Sequence, residues 1–401
     1  MSSSSSSAAP SFWEESFLKE MSLKTDPDAE SLVNDIVNDN DFNTLRSVFT
    51  QLNNNQDHIN SSGLPPSVIN YFNAEMQLPA WADHSKINLA QEVFSKYGPQ
   101  ISLLLNFKAL PLCYSCKNGA KVLAATGRLN ESGHDVSRVR RRLFETSQMV
   151  INTMSPGGLD PDGKGIITVK KVRLYHATIR YFLTHPKYNP QGWDVARYGQ
   201  PINQEEMAGT LMAFSALIIG GLDQIGIELS EEEKDAYMHC WNIIGHFIGL
   251  DPKLYPANFQ QGWDLGIAII KRNQEESEDG KLLTKSLIDF SKEIFQGRFL
   301  DDVPEYLISY FLEDVSKIIN VDIVKNLGVN ETSNFVDRLL GKAFLKILEL
   351  ADDIEEHNAL VQKIVSKYNT KMLEGIVASY LKTNNVEFYI PASLKESWKL
   401  N

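Results

Sequence analysis

Arg173, His176 and Arg180 stand at i, i+3 and i+7 in the stretch KKVRLYHATIRYFLT, residues 170–184. On a helix this spacing sets one imidazole on a face with a guanidinium about one turn away on either side. A ring nitrogen of an imidazole ligates metals, and guanidinium groups clamp carboxylates through paired hydrogen bonds. A haem offers an iron and two propionates, so one ligand would satisfy all three residues. The same spacing describes a solvated polar face with an incidental histidine, since Arg and His are common on such faces. Val172, Tyr175, Ile179 and Phe182 recur at i, i+3, i+7 and i+10, an apolar stripe that predicts a helix with one side in the core.

A second set lies upstream. Arg142 and Thr146 are four apart and share a helix face, with Glu145 adjacent to it. Above an iron, a positive charge, a hydroxyl and a carboxylate could orient bound oxygen and relay protons. Alone, Thr146 could equally bond its own i−4 carbonyl, and Arg142 a surface acid. The other histidines compete for the ligand role. His239 and His246 fall on a helix whose stripe is core, His185 at a helix end before Pro186, and His58, His84, His134 and His357 in polar contexts. None has arginines on its own face as His176 does. Cys113 and Cys116 form a CxxC with no second pair, which argues against structural zinc and for two small hydrophobes on neighbouring turns. No GxSxG, P-loop or HExxH occurs in the sequence.

The elements that must position these residues read as helices throughout. Helical patterns fall at 28–38, 42–53, 65–78 and 84–97, and an apolar helix follows from Pro99. Further patterns lie at 134–154, 170–184, 204–226, 231–249, 263–275, 281–296, 303–319, 336–352 and 358–380, with no strand-type alternation of useful length. The class is all-α. Asn203 with Glu206, and Ser230 with Glu233, predict helix caps. Residues 211–222 are too short an apolar run to span a bilayer and predict a buried core helix. The serine-rich opening predicts a disordered tail over residues 1–24. It lacks the charged and apolar regions of a signal peptide, so a soluble protein in the cytoplasm is expected. Three cysteines in 401 residues fit a reducing compartment. A formal charge of −12 argues against nucleic acid as a partner.

Six segments, in order and register, resemble one family. They are Arg142-Leu-Phe-Glu-Thr146 before a Pro-Gly-Gly turn; Lys171-Val-Arg-Leu-Tyr-His-Ala-Thr-Ile-Arg180; Gly199-Gln-Pro-Ile-Asn-Gln204; Gly209-Thr-Leu-Met-Ala-Phe-Ser215; Gly221-Leu-Asp-Gln-Ile-Gly226; and Trp241-Asn-Ile-Ile-Gly245 with Gly249. Together they resemble the rubber oxygenases, whose best-known members are the latex-clearing proteins, with a fungal membrane oxygenase of mycophenolic acid biosynthesis as a relative. The resemblance covers residues 98–275.

It implies a globin-like helical core around a non-covalent haem b, flanked by N-terminal helices over 25–97 and C-terminal helices over 276–401. It implies His176 as the axial ligand, Arg173 and Arg180 as propionate partners or as anchors of the histidine's helix, and Arg142, Glu145 and Thr146 as the distal side. Latex-clearing proteins can carry a lysine where Glu145 stands, and Thr126 falls about where their distal catalytic glutamate is expected. The resemblance thus implies an oxygenase that uses dioxygen on a hydrophobic, unsaturated, isoprenoid-like substrate. A haem or lipophile carrier that kept the fold without turnover is the alternative.

Overall fold

The computed structural model describes residues 13–39, 48, 64–74, 76–125, 137–295, 303–329 and 394, and every regular element among them is helical. In chain order these are α1 (Glu15–Met21), α2 (Pro27–Asp39), α3 (Pro66–Asn73), α4 (His84–Leu104), a π-helical turn (Leu105–Ala109), α5 (Leu110–Ser115), α6 (Lys117–Ala125), α7 (Ser137–Met154) and α8 (Lys164–Thr184). Then come α9 (Val195–Tyr198), α10 (Gln204–Phe214), α11 (Ala216–Gln224), α12 (Glu231–Ile248), α13 (Phe259–Asn273), α14 (Glu278–Phe295), α15 (Val303–Ile319) and α16 (Ile323–Asn326). The serine run, most of the pattern over 42–53, the patterns over 336–352 and 358–380, and His58, Thr126, His134 and His357 lie outside the described residues.

Local chemistry explains where the helices begin, bend and stop. The Ser230 hydroxyl accepts from the Glu233 N–H while the Glu233 carboxylate accepts from the Ser230 N–H, the reciprocal cap expected for α12. Gly249, at φ 87°, ends that helix in the left-handed region. Pro99 lacks a donor and crowds the preceding turn. The two helices expected on either side of it accordingly follow one another within α4 across a kink at Tyr97 (φ −113°, ψ 15°). The helix expected over 204–226 is instead two, because Ser215 adopts φ −121°, ψ −91°. By length and composition Gln204–Gln224 could cross a membrane, yet 83% of that window is buried inside the protein. The core reading of residues 211–222 holds.

α12 lies along α4, α7 packs on α8, and α10 on α13, forming one large core. Lys108 in the π-helical turn is fully buried, and its ammonium donates to Asp314 (2.7 Å), Gln224 (2.7 Å) and the Phe311 carbonyl (2.8 Å), tying α15 to that core. A second cluster, from Ala29, Val33 and Ile36 of α2, Val68 and Phe72 of α3, and Leu174 and Ala177 of α8, covers the outer side of the histidine's helix. Phe182 packs with this second cluster.

The tail expected to run to residue 24 is corrected from Trp13 onward. Trp13 (6% exposed), Leu18 and Met21 are buried. The Trp13 indole donates to the Gln261 carbonyl at 3.0 Å, and the Ser22 and Lys24 carbonyls accept from Gln200 and Gln204 N–H groups. An acidic, serine-rich opening masks a short amphipathic helix whose apolar positions are too few to stand out. Deleting residues 1–24 should therefore lower stability in urea denaturation by several kcal/mol, at about 1.5–3 kcal/mol for each large apolar side chain re-exposed.

Candidate active site

The turn between α7 and α8 brings their ends into backbone contact. The Gly165 N–H donates to the Gly158 carbonyl at 2.8 Å. A Cβ on Gly158 would lie 2.2 Å from the Asn152 carbonyl oxygen, and one on Gly165 2.4 Å from that of Gly158. Only glycine fits there, which accounts for the Gly-rich linker. Asn152 then donates across to Thr168 at 3.0 Å.

Beyond this contact, α5, α6, α7, α8, α10, α12 and α13 line a cavity of about 260 Å³. Leu143, Met149, Val172, Ile179, Leu211 and Phe214 make it largely apolar. His176, Glu145 and Thr146 all line it, so two helices bring together three of the residues singled out by spacing. At about 100° per residue, His176 sits about 40° from Val172 and about 40° from Arg180, on the border between the apolar stripe and the arginine face. It turns inward with the stripe. Arg142 belongs to α7, but its side chain lies outside the described residues. Among the described histidines His176 alone lines this cavity; the His239 Nε2 accepts from the Asp83 N–H at 2.9 Å instead.

Arg173 and Arg180 do not line the cavity. Arg173 makes a bidentate bond to Asp26, Nε to Oδ2 at 2.6 Å and Nη2 to Oδ1 at 2.7 Å. The Arg180 Nε lies 2.6 Å from Glu30 Oε1, and its Nη1 donates to the Ile202 carbonyl at 3.0 Å. Both arginines are thus paired with carboxylates of the chain itself, Asp26 and Glu30. Burial works against the Arg173 charge, but the bonds to Asp26 outweigh it and raise its pKa. Gly249 makes room for this pair, since a Cβ there would lie 2.4 Å from Asp26 Oδ2 and 2.6 Å from Arg173 Nε. Ile202, held through its carbonyl, adopts φ 52°, a strained value for a β-branched residue.

Glu206 was legible only as the N3 position of a cap. Its N–H does donate to the Asn203 side chain at 2.9 Å. Glu206 nonetheless reaches the cavity wall, with its Oε1 buried against the protein. Burial pushes its pKa up to about 8, the neighbouring Glu205 adds to this, and the backbone at Asn203 and Ile202 partly opposes it. Glu205 is itself raised to about 7 by burial and accepts from Asn273 at 2.7 Å. Cys113 and Cys116, read as small hydrophobes, line the same cavity, and burial pushes the Cys113 thiol up to about 12, far from thiolate reactivity. The available signal for Glu206 was an acid one helical turn from Thr210 in a helix otherwise apolar on that side.

Two expected outcomes follow from these contacts. Asp26→Asn, which leaves Arg173 buried against a neutral partner, should cost about 3–5 kcal/mol in urea denaturation, whereas Asp28→Asn, 3.7 Å away on an exposed side chain, should cost under about 1 kcal/mol. For Glu206, folding raises the pKa, so between about pH 4.5 and about pH 8 the folded state holds a proton that the unfolded state releases. Stability from this group is full below that window and lost as pH rises through it. Melting temperatures of Glu206→Gln should accordingly gain on wild type from pH 5 to pH 9; a constant gap would refute the assignment.

Comparison with known proteins adds three findings. A rubber oxygenase from Streptomyces sp. (strain K30) is 23% identical over 293 residues, 68% of this chain; the chain spans 64% of that relative's length. A structure of the latex clearing protein LCP in the closed state superposes with a TM-score of 0.68 at 16% identity, over 92% of this chain and 94% of that one, a likeness of fold. Residues 101–305, half of the chain, match the family described as "ER-bound oxygenase mpaB/B'/Rubber oxygenase, catalytic domain". The all-α chain with His176 on an apolar cavity belongs to that oxygenase family.

Proposed function

We propose that this protein is a haem b-dependent oxygenase that uses dioxygen on a hydrophobic, unsaturated, isoprenoid-like substrate. The observation that carries the reading is the convergence of His176, Glu145 and Thr146 on one largely apolar cavity.

The residues present suit a porphyrin. His176 offers an imidazole nitrogen to a metal from an α8 wall that also carries Thr168, Lys171, Val172, Tyr175 and Ile179. On α6, a Cβ at Gly119 would meet nothing within 4 Å, so that glycine leaves cavity space unfilled. Apolar walls match the faces of the macrocycle. A haem held through His176 would supply dioxygen binding and activation. Arg173 and Arg180 would act on it indirectly, by fixing the helix that carries the ligand.

The chain's own contribution is positioning, water exclusion and proton handling. The Thr146 hydroxyl can donate a hydrogen bond to an oxygen atom held in the cavity, and the Glu145 carboxylate can accept and return a proton there. Leu143, Met149, Leu211 and Phe214 keep bulk water from the reacting atoms and hold an apolar chain by burial.

Purified protein reconstituted with haemin should show a Soret band. His176→Ala should cut haem occupancy several-fold while far-ultraviolet circular dichroism stays near wild type, because Val172, Tyr175 and Ile179 still pack and alanine favours a helix. His239→Ala should keep the spectrum. Oxygen uptake with an unsaturated isoprenoid separates an oxygenase from a carrier. A full wild-type spectrum in His176→Ala, or none in wild type, would overturn the haem assignment.

A further inference from the structure

Gly119 has neither a conformational nor a packing reason to be glycine. It stands in the first turn of α6, outside the left-handed region that Gly157, Gly192 and Gly249 occupy. Other helical glycines make room for a neighbour. A Cβ at Gly209 would lie 2.8 Å from Ile269, at Gly220 2.2 Å from Trp263 and at Gly262 2.5 Å from Met238. At Gly119 it would meet nothing within 4 Å. A helical glycine lowers stability relative to alanine, and no contact at this position offsets that cost. Nor does this face of the helix turn to solvent. Gly119, Val122 and Leu123 stand at i, i+3 and i+4, and all three line the cavity. Val122 is 4% exposed and clusters with Tyr175 and Ile179, which bracket His176 on α8. Cys116, one turn before Gly119, lines the cavity too. The stripe that α6 sets against the cavity thus lacks one side chain, a single turn from the residue that packs beside His176.

We infer that Gly119 is a specificity-determining residue, whose missing side chain leaves the room that the bulk of a long apolar substrate takes up against α6. The inference rests on the reading of the cavity as a site for a hydrophobic substrate, and it adds the residue that limits how large that substrate is. An apolar chain binds through the surface it buries. Open space beside Val122 and Leu123 lets a longer chain bury more of itself, whereas a shorter one is accommodated without it. A side chain at 119 would fill that space at no cost in contacts, because no neighbour stands within 4 Å of its Cβ. Enlarging residue 119 therefore removes room for the ligand while leaving the helix intact.

Myrcene and farnesene, acyclic isoprenoids that differ by one isoprene unit, provide the test. Their dissociation constants for the full chain are measured anaerobically, by quenching of tryptophan fluorescence, since Trp241 lines the cavity. Wild type should bind farnesene about tenfold more tightly or better, because the extra unit buries more apolar surface. Gly119→Leu should cut that preference to about threefold or less by weakening farnesene, with myrcene changed by less than about twofold. Gly119→Ala should keep most of the preference and raise the melting temperature by about 1–2 °C. The Soret band of haemin-reconstituted Gly119→Leu should match that of wild type. Equal binding of the two ligands by wild type, an unchanged preference in Gly119→Leu, or a lower melting temperature in Gly119→Ala would overturn the inference. So would a Soret band lost in Gly119→Leu alone, which would assign the space to the porphyrin. Binding of neither ligand by wild type would overturn it together with the hydrophobic-substrate reading. A length preference that Gly119→Leu removes, in a protein that shows no Soret band, would sink the haem oxygenase reading and leave this one standing.

Discussion

Two guanidinium groups, those of Arg173 and Arg180, are held against the interior on the helix that presents His176, and neither can give up its charge. Each needs a carboxylate, and α2 and its leading residues bring Asp26 and Glu30 to them. Most of the site's geometry hangs on that pairing. Asp26 fits because Gly249 has no side chain. Gly249 can sit there because α12 ends in a left-handed cap. Gln204, which opens α10, donates to the carbonyls of Thr25 at 2.7 Å and Gly249 at 3.0 Å and accepts from the Asp251 N–H at 2.7 Å. One constellation of polar contacts thus sets α2, α8, α10 and α12 against one another. The last three of these line the cavity.

That arrangement separates two electrostatic regimes by the width of one helix. On the outer side of α8, full charges are paired, Arg173 with Asp26 and Arg180 with Glu30. On the inner side, burial favours neutral forms: the Glu206 carboxyl keeps its proton up to about pH 8 and the Cys113 thiol up to about pH 12.

Much of the fold was legible because helices advertise themselves through a 3.6-residue period and through end chemistry. The reciprocal cap at Ser230 and Glu233 is an example. What was not legible depended on partners distant in sequence. Arg173, His176 and Arg180 look like one face, and only the placement of Asp26 and Glu30 separates the arginines from the histidine. Glu206 carries two messages, a local one as a helix-capping position and a tertiary one as a cavity wall, and the local one hid the other. Trp13 and Leu18 were hidden by a polar context. The break at Ser215 left no sign in composition, because serine is compatible with a helix interior.

The contact between Trp13 and Gln261 spans 248 positions of sequence, and that between Lys108 and Asp314 spans 206. Such closures are entropically late, since the long loop must be ordered before the contact repays it. During synthesis α2 therefore emerges with Asp26 and Glu30 unmatched, and waits for α8; α1 waits longer, for α13. The apolar stretch that becomes α10 and α11 is meanwhile exposed until the residues that bury it have been made. Of the helices described, α1 comes first in the sequence and is among the last to find its place.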